Sequence, residues 1–276
     1  MKITAQDVKR LREVTGVGMM DCKRALQETE GDFDAAIDQL RKKGQKVAAK
    51  RADRDANEGL IVTASSDDNK TCIMAEVNCE TDFVARNEDF QQFANELATL
   101  ILREHPADRE AFLALPFQAG RTAGEALTDA TGKIGEKIDV RRFTSLTSDG
   151  GEIVAYIHPG ARLGVLVDVS GNGDIQQAGR DVAMQAAALN PVALNTDEVS
   201  DDLKEKEMEI ARESARNEGK PEHIIDNIAK GKLKRYYKDN VLIEQPFVKD
   251  ASMTVKEMLK QADATVDRFV RYALGG

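Results

Sequence analysis

Two stretches of this chain follow one pattern, and that recurrence narrows the folds open to it. Residues 58 to 102 read EGLIVTASSDDNKTCIMAEVNCETDFVARNEDFQQFANELATLIL, and residues 151 to 191 read GEIVAYIHPGARLGVLVDVSGNGDIQQAGRDVAMQAAALNP. Each holds a short strand after a glycine, a turn, a second β-rich strand (IMAEV or GVLVDV), a polar loop and an amphipathic helix. A ββα unit cannot cover its own sheet face, so two copies predict two related α+β subdomains.

The flanking segments change period. Thr4 and Asp7 form a capping box ahead of Val8 and Leu11, and Gly16 stops this first helix. Met19, Cys22 and Leu26 fall on one face of a second helix that Gly31 ends. Asp32 caps a third, with Phe33, Ile37 and Leu40 inward and Gly44 as its stop. Three such helices make a small bundle that resembles a ubiquitin-associated domain, although their pattern alone does not name it. RKKGQKVAAKRADR, residues 41 to 54, reads as a solvated basic helix or linker, without the interleaved aromatics that stack on bases.

Residues 103 to 143 read as helix and connection. Residues 197 to 239 form a charged antiparallel hairpin, with Val199, Leu203, Ile210 and Ser214 marking one helix, Gly219 and Pro221 the turn, and Ile225, Ile228 and Tyr236 the other. Strand-like VLIEQPFV and a last helix, TVKEMLKQADATVDRFVRYAL, then return the chain to the second subdomain. The expected division is a helical N-terminal domain with its basic linker at 1–54, a first core subdomain at 55–143, a second at 144–196 with 240–276, and an inserted hairpin at 197–239.

Composition and spacing argue against most chemistries. No apolar run reaches membrane-spanning length, and the N-terminus lacks the apolar core of an export signal, which points to the cytoplasm. Three cysteines, Cys22, Cys72 and Cys79, suit neither a disulfide framework nor a zinc site and read as small core residues. His105, His158 and His223 have no nucleophile motif beside them. Gly132-Lys133 is followed by Ile134 where a phosphate loop needs Ser or Thr. Gly171-Asn172-Gly173-Asp174 reads as a turn with an N-cap at Asp174. The expectation is therefore no enzyme, no cofactor, no bound metal and no nucleotide site of its own. A net charge of −9, with a basic head on an acidic body, suits docking on another protein. The alternative is an RNA-associated protein using residues 41 to 54.

Thr81-Asp82-Phe83-Val84 is the odd element, because it sets a large ring in a polar loop between a strand and an expected N-cap at Asn87. On composition alone the ring belongs in the core. Three segments, however, TGVGMMDCKRAL with EGDFDAAIDQLRKKG, then EVNCETDFVARNEDF, and YIHPGARLGVLV with QPFV, together resemble the bacterial translation elongation factor Ts family along essentially the whole chain.

The resemblance implies a guanine nucleotide exchange factor that binds elongation factor Tu, in its GDP-bound and nucleotide-free forms, and speeds GDP release. Thr81, Asp82, Phe83 and Val84 match the residues that the family uses to dislodge the partner's Mg²⁺, which makes Phe83 an exposed working residue. Thr15 to Arg24, with Met19, Met20 and Lys23, match a contact with the partner's nucleotide-binding domain. His158, Gly160 and Arg162 lie in HPGARLG, which matches a second partner-facing loop, and Phe247 in QPFV is expected to be buried. Nucleic acid and membrane are not expected partners, and a homodimer is compatible with this reading. Longer members continue past VDRFVRYAL with a further helical module, so that contact is expected to be absent here.

Overall fold

The computed structural model describes residues 3 to 276, an α+β protein whose chain divides into two compact units. One holds the chain up to Ala64 with Ile73–Ser145 and Ala273–Gly276; the other holds Ser65–Cys72 and Leu146–Tyr272.

The first unit begins with α1 (Ala5–Thr15), α2 (Met19–Glu28) and α3 (Phe33–Arg51). Thr4 and Asp7 form the anticipated capping box, and Asp32 accepts from the Ala35 amide to start α3. Val8, Leu11, Cys22, Ala25, Leu26, Ala36 and Leu40 form the bundle core, with Phe33 and Ile37 packed at its edge. Met19 departs from its expected face. It is the first residue of α2 and is 53% exposed, one turn short of Cys22, where burial begins.

Gly44 does not stop α3. The helix runs on through the basic segment to Arg51, and the glycine serves a different purpose. There α3 crosses α7 (Ala123–Ile134) at Gly132, where a Cβ would lie 2.4 Å from the Gly44 Cα. Only a glycine pair lets two helix backbones come that close.

The unit's sheet has the order β1 (Glu58–Ser65), β2 (Thr71–Cys79), β3 (Asp139–Thr147). Between β2 and β3 run α4 (Asp82–Ala85), α5 (Glu88–Glu104), α6 (Arg109–Ala114) and α7. Strand β3 overlaps the stretch read as helix and connection. Its polar sequence DVRRFTSLT hides the strand, because Arg142 is spent inside the unit: it donates to Glu76 of β2, which is wholly buried, at 2.8 Å. A buried carboxylate needs such a partner, since an unpaired charge out of water costs several kcal/mol.

The second unit repeats the pattern. β4 (Glu152–Ile157) pairs antiparallel with β5 (Leu163–Gly171), in a register from Glu152 opposite Val169 to Ile157 opposite Gly164. Asp174 caps α8 (Ile175–Leu189), which packs on both strands through Ala178, Val182, Ala183 and Ala186. α9 (Asp201–Asn217) and α10 (Glu222–Asn240) form the hairpin. Its seam is Ala211 and Ala215 against Ile225 and Ala229, while Ile210 is 51% exposed, so the small residues and not the large one mark the contact face. The chain enters and leaves side by side: Ala193 bridges Val241 in parallel, and the Leu242 amide donates to the Ala193 carbonyl.

After β6 (Pro246–Phe247), β7 (Asp250–Thr254) and α11 (Val255–Gln261), the chain ends in β8 (Ala264–Ala273). The expected terminal helix is therefore half wrong. Helix α11 ends at Gln261, Asp263 takes φ 47°, and ATVDRFVRYA becomes the third strand of a sheet ordered β4-β5-β8. Val266, Phe269 and Val270 have helix-like spacing, but β-branched and aromatic residues fit a pleated surface better. Phe247 is 6% exposed, buried as expected. Among the described residues no helix is long and apolar enough to cross a membrane.

Candidate functional site

The stretch around Phe83 is not an open loop. Strand β2 ends at Cys79, and Thr81, in extended conformation, accepts from the Val84 amide through its side chain to start α4. One helical turn follows, and Asn87 then accepts from the Asp89 and Phe90 amides to start α5. Within the turn Ala85 is buried while Thr81, Asp82 and Val84 are half-buried. Phe83 is 81% exposed, the most exposed large hydrophobic residue among those described. A ring is ordinarily inside, so its display on a fixed turn is the unusual feature of this surface. Asp82 pairs with Arg86 one turn on, at 2.9 Å, which leaves its carboxylate ordered near the ring.

Two carboxylates sit under this turn. Glu136 accepts from the Glu80 and Thr81 amides and from the Thr81 hydroxyl. Both Glu80 oxygens accept from Arg51 Nη1, at 2.8 and 2.7 Å, and Oε1 also accepts from the Lys137 amide at 2.7 Å. Burial pushes the Glu80 carboxyl up, but the Lys137 amide and Arg51 outweigh it, with Arg54 adding a little, and hold it below the ordinary value. Desolvation, with the Glu136 charge behind it, pushes the Cys79 thiol up to about 12, so Cys79 is a protonated core residue that donates to the Thr81 carbonyl.

A carboxyl held low binds its proton more weakly folded than unfolded. The stability that Glu80 contributes is therefore complete at neutral pH and is lost as pH falls through its lowered value. The difference in thermal midpoint between the wild type and Glu80→Gln is expected to be largest near neutrality and to close on acidification. A difference that is constant with pH would contradict this assignment.

The remaining expected residues lie elsewhere. Met19 and Met20, 53% and 68% exposed, stand with exposed Lys23 on α2, whose N-terminus at Gly18 has no side-chain cap. His158, Gly160 and Arg162 are exposed in the β4–β5 turn. There the His158 amide donates to the Leu163 carbonyl, Tyr156 Oη lies 3.0 Å from His158 Nδ1, and Gly160 has φ 90°. In the basic stretch 41–54, Arg51 is engaged by Glu80 and Lys43 by Asp21, so part of that charge is used internally. Sequence reasoning missed Glu136 altogether; its only signal was a carboxylate directly after a helix-ending glycine.

The fold and these surfaces define an α+β protein that displays large apolar side chains on the first turns of short helices. Comparison with known proteins makes this specific. The family Elongation factor TS matches residues 80–276. Elongation factor Ts of Chlorobaculum tepidum is 47% identical over 285 residues, covering 99% of this chain and 99% of its own. That of Flavobacterium psychrophilum is 50% identical over 276 residues, with 99% of each chain covered. That of Alkalilimnicola ehrlichii is 46% identical over 275 residues, covering 100% of this chain and 93% of its own. The chain belongs to the elongation factor Ts family, and is a translation elongation factor.

Proposed function

We propose that this chain is a guanine nucleotide exchange factor for elongation factor Tu, acting in translation elongation by binding and making or breaking no covalent bond. It engages the GDP-bound partner, weakens GDP, and leaves a nucleotide-free complex that GTP can reload. The single observation that carries this reading is Phe83, an 81% exposed ring on a turn that Thr81 caps and that the capped start of α5 follows.

The mechanism follows from what holds GDP. Mg²⁺ at the partner's nucleotide site would supply charge that holds the phosphates, so disturbing its support would remove much of the nucleotide's affinity. Phe83 acts as a wedge into packed side chains of the partner. Asp82 supplies charge and hydrogen bonding beside it, with Thr81 and Val84 completing the motif. Met19, Met20 and Lys23 form one further contact and His158, Gly160 and Arg162 another, so that binding does not depend on the wedge alone. The energetics are those of linkage: whatever free energy the factor gains on the nucleotide-free partner in preference to the GDP form weakens GDP by the same amount. Each factor of ten takes about 1.4 kcal/mol, so a thousandfold weakening takes about 4 kcal/mol.

The test is release of a fluorescent GDP analogue from elongation factor Tu at fixed Mg²⁺, with and without this protein. Accelerated release is expected, rising to saturation with the protein's concentration. An unchanged rate at every concentration would overturn the reading.

A further inference from the structure

The turn that carries Phe83 is too short to hold itself. A single helical turn fixes several backbone torsions for very few hydrogen bonds, and so is unfavourable alone. The exposed ring adds little packing of its own. The order of the turn must come from outside it.

Glu136 supplies it. Its Oε2 accepts from the Glu80 amide at 3.1 Å and the Thr81 amide at 3.0 Å, while Oε1 accepts from Thr81 Oγ1 at 2.7 Å. Three donors thus converge on one carboxylate at the residue that caps the turn, and hydrogen bonds to a charged acceptor are stronger than neutral ones. Glu136 reaches this place because α7 ends at Ile134 and Gly135 takes φ 84°, a left-handed conformation that turns the chain back sharply. Lys137 completes the brace: its amide binds Glu80 at 2.7 Å and its Nζ binds the Ala52 and Arg54 carbonyls. At the other end Gln91 Nε2 donates to the Ala85 carbonyl at 3.3 Å.

We propose that Glu136 is the positioning residue for exchange, holding the Glu80–Thr81 backbone so that Phe83 is presented in one orientation before the partner arrives. This rests on the exchange reading above. Without Glu136 the turn samples several orientations, and the productive rate falls with the fraction that remains competent. The other contact surfaces still bind, so the loss is in the rate at saturation and not in the concentration that half-saturates.

The experiment measures release of the fluorescent GDP analogue from elongation factor Tu against factor concentration. The proteins are wild type, Glu136→Ala, Glu136→Gln, Thr81→Val, Phe83→Ala and the double variant Glu136→Ala/Phe83→Ala, with thermal transitions recorded for each. Glu136→Ala is expected to lower the saturating rate about tenfold, with the half-saturating concentration moved by less than about twofold. Glu136→Gln recovers part of the rate, because its amide oxygen still accepts. The double variant is no slower than Phe83→Ala alone, since positioning an absent ring is worth nothing. Thr81→Val, which keeps the shape but removes both the donor to Glu136 and the acceptor that caps α4, shows a loss of the same kind, and Glu136→Gln below the wild-type rate decides the matter if Glu136→Ala unfolds. Glu136→Ala at the wild-type rate, additive losses in the double variant, or Glu136→Gln without loss when Glu136→Ala is unfolded would each overturn the proposal while wild-type exchange stands. No acceleration by the wild type would overturn both.

Discussion

Phe83→Ala is expected to reduce the acceleration of GDP release by about 2 kcal/mol or more, equivalent to about thirtyfold, because central aromatic anchors carry most of an interface's energy. The same variant is expected to fold as well as the wild type. At 81% exposure the ring buries little of its own surface, so its removal should change stability by no more than about 0.5 kcal/mol. The pair of measurements separates a wedge from a core residue. Burying a phenylalanine in its own core would reverse the pattern, with a loss of about 3 to 5 kcal/mol of stability on truncation. Phe90, seven residues on and 1% exposed, provides that control on the same stretch of chain.

Alanine at Gly132 and alanine at Gly44 are expected to have opposite effects, although the two glycines face each other. A Cβ at Gly132 would meet the Gly44 Cα at 2.4 Å, its carbonyl carbon at 3.0 Å and its oxygen at 3.1 Å. Those are backbone atoms in a helix and cannot step aside, so α3 and α7 must separate, at a cost of about 1 to 3 kcal/mol. A Cβ at Gly44 meets the Gly132 Cα at 3.5 Å, an ordinary contact. There the gain in helix propensity, up to about 1 kcal/mol, goes unopposed. Denaturant midpoints of the two variants should fall on either side of wild type. Equal shifts would mean that the crossing is looser than the backbone distances indicate.

Much of this architecture was legible because local signals agreed. The caps at Thr4, Asp32, Asn87 and Asp174, and the paired ββα pattern, were read from residue types whose chemistry is short-range. The third strand of each sheet was not. DVRRFTSLT is polar because its arginines pair within the unit, and ATVDRFVRYA has a spacing that fits either period, so only the other strands could decide. Gly44 misled for a related reason. A glycine in a helix reads as a stop, and the partner that explains it lies 88 positions away at Gly132. At the site, an exposed Phe83 could be expected only from the family resemblance, since composition pointed inward. Glu136 lies 55 residues from the Thr81 that it braces, beyond the reach of any local pattern.

The bridge between Ala193 and Val241 has a consequence for how such a protein can change. Because the two ends of the hairpin are zipped together at its root, with Val199, Tyr236 and Tyr237 gathered there, the arm beyond them is a closed excursion. Its reach can be lengthened or trimmed by matched turns in α9 and α10 without asking any residue of the neighbouring sheet to move. Reach and core are thus free to evolve on separate schedules, one by insertion and deletion, the other by slow substitution.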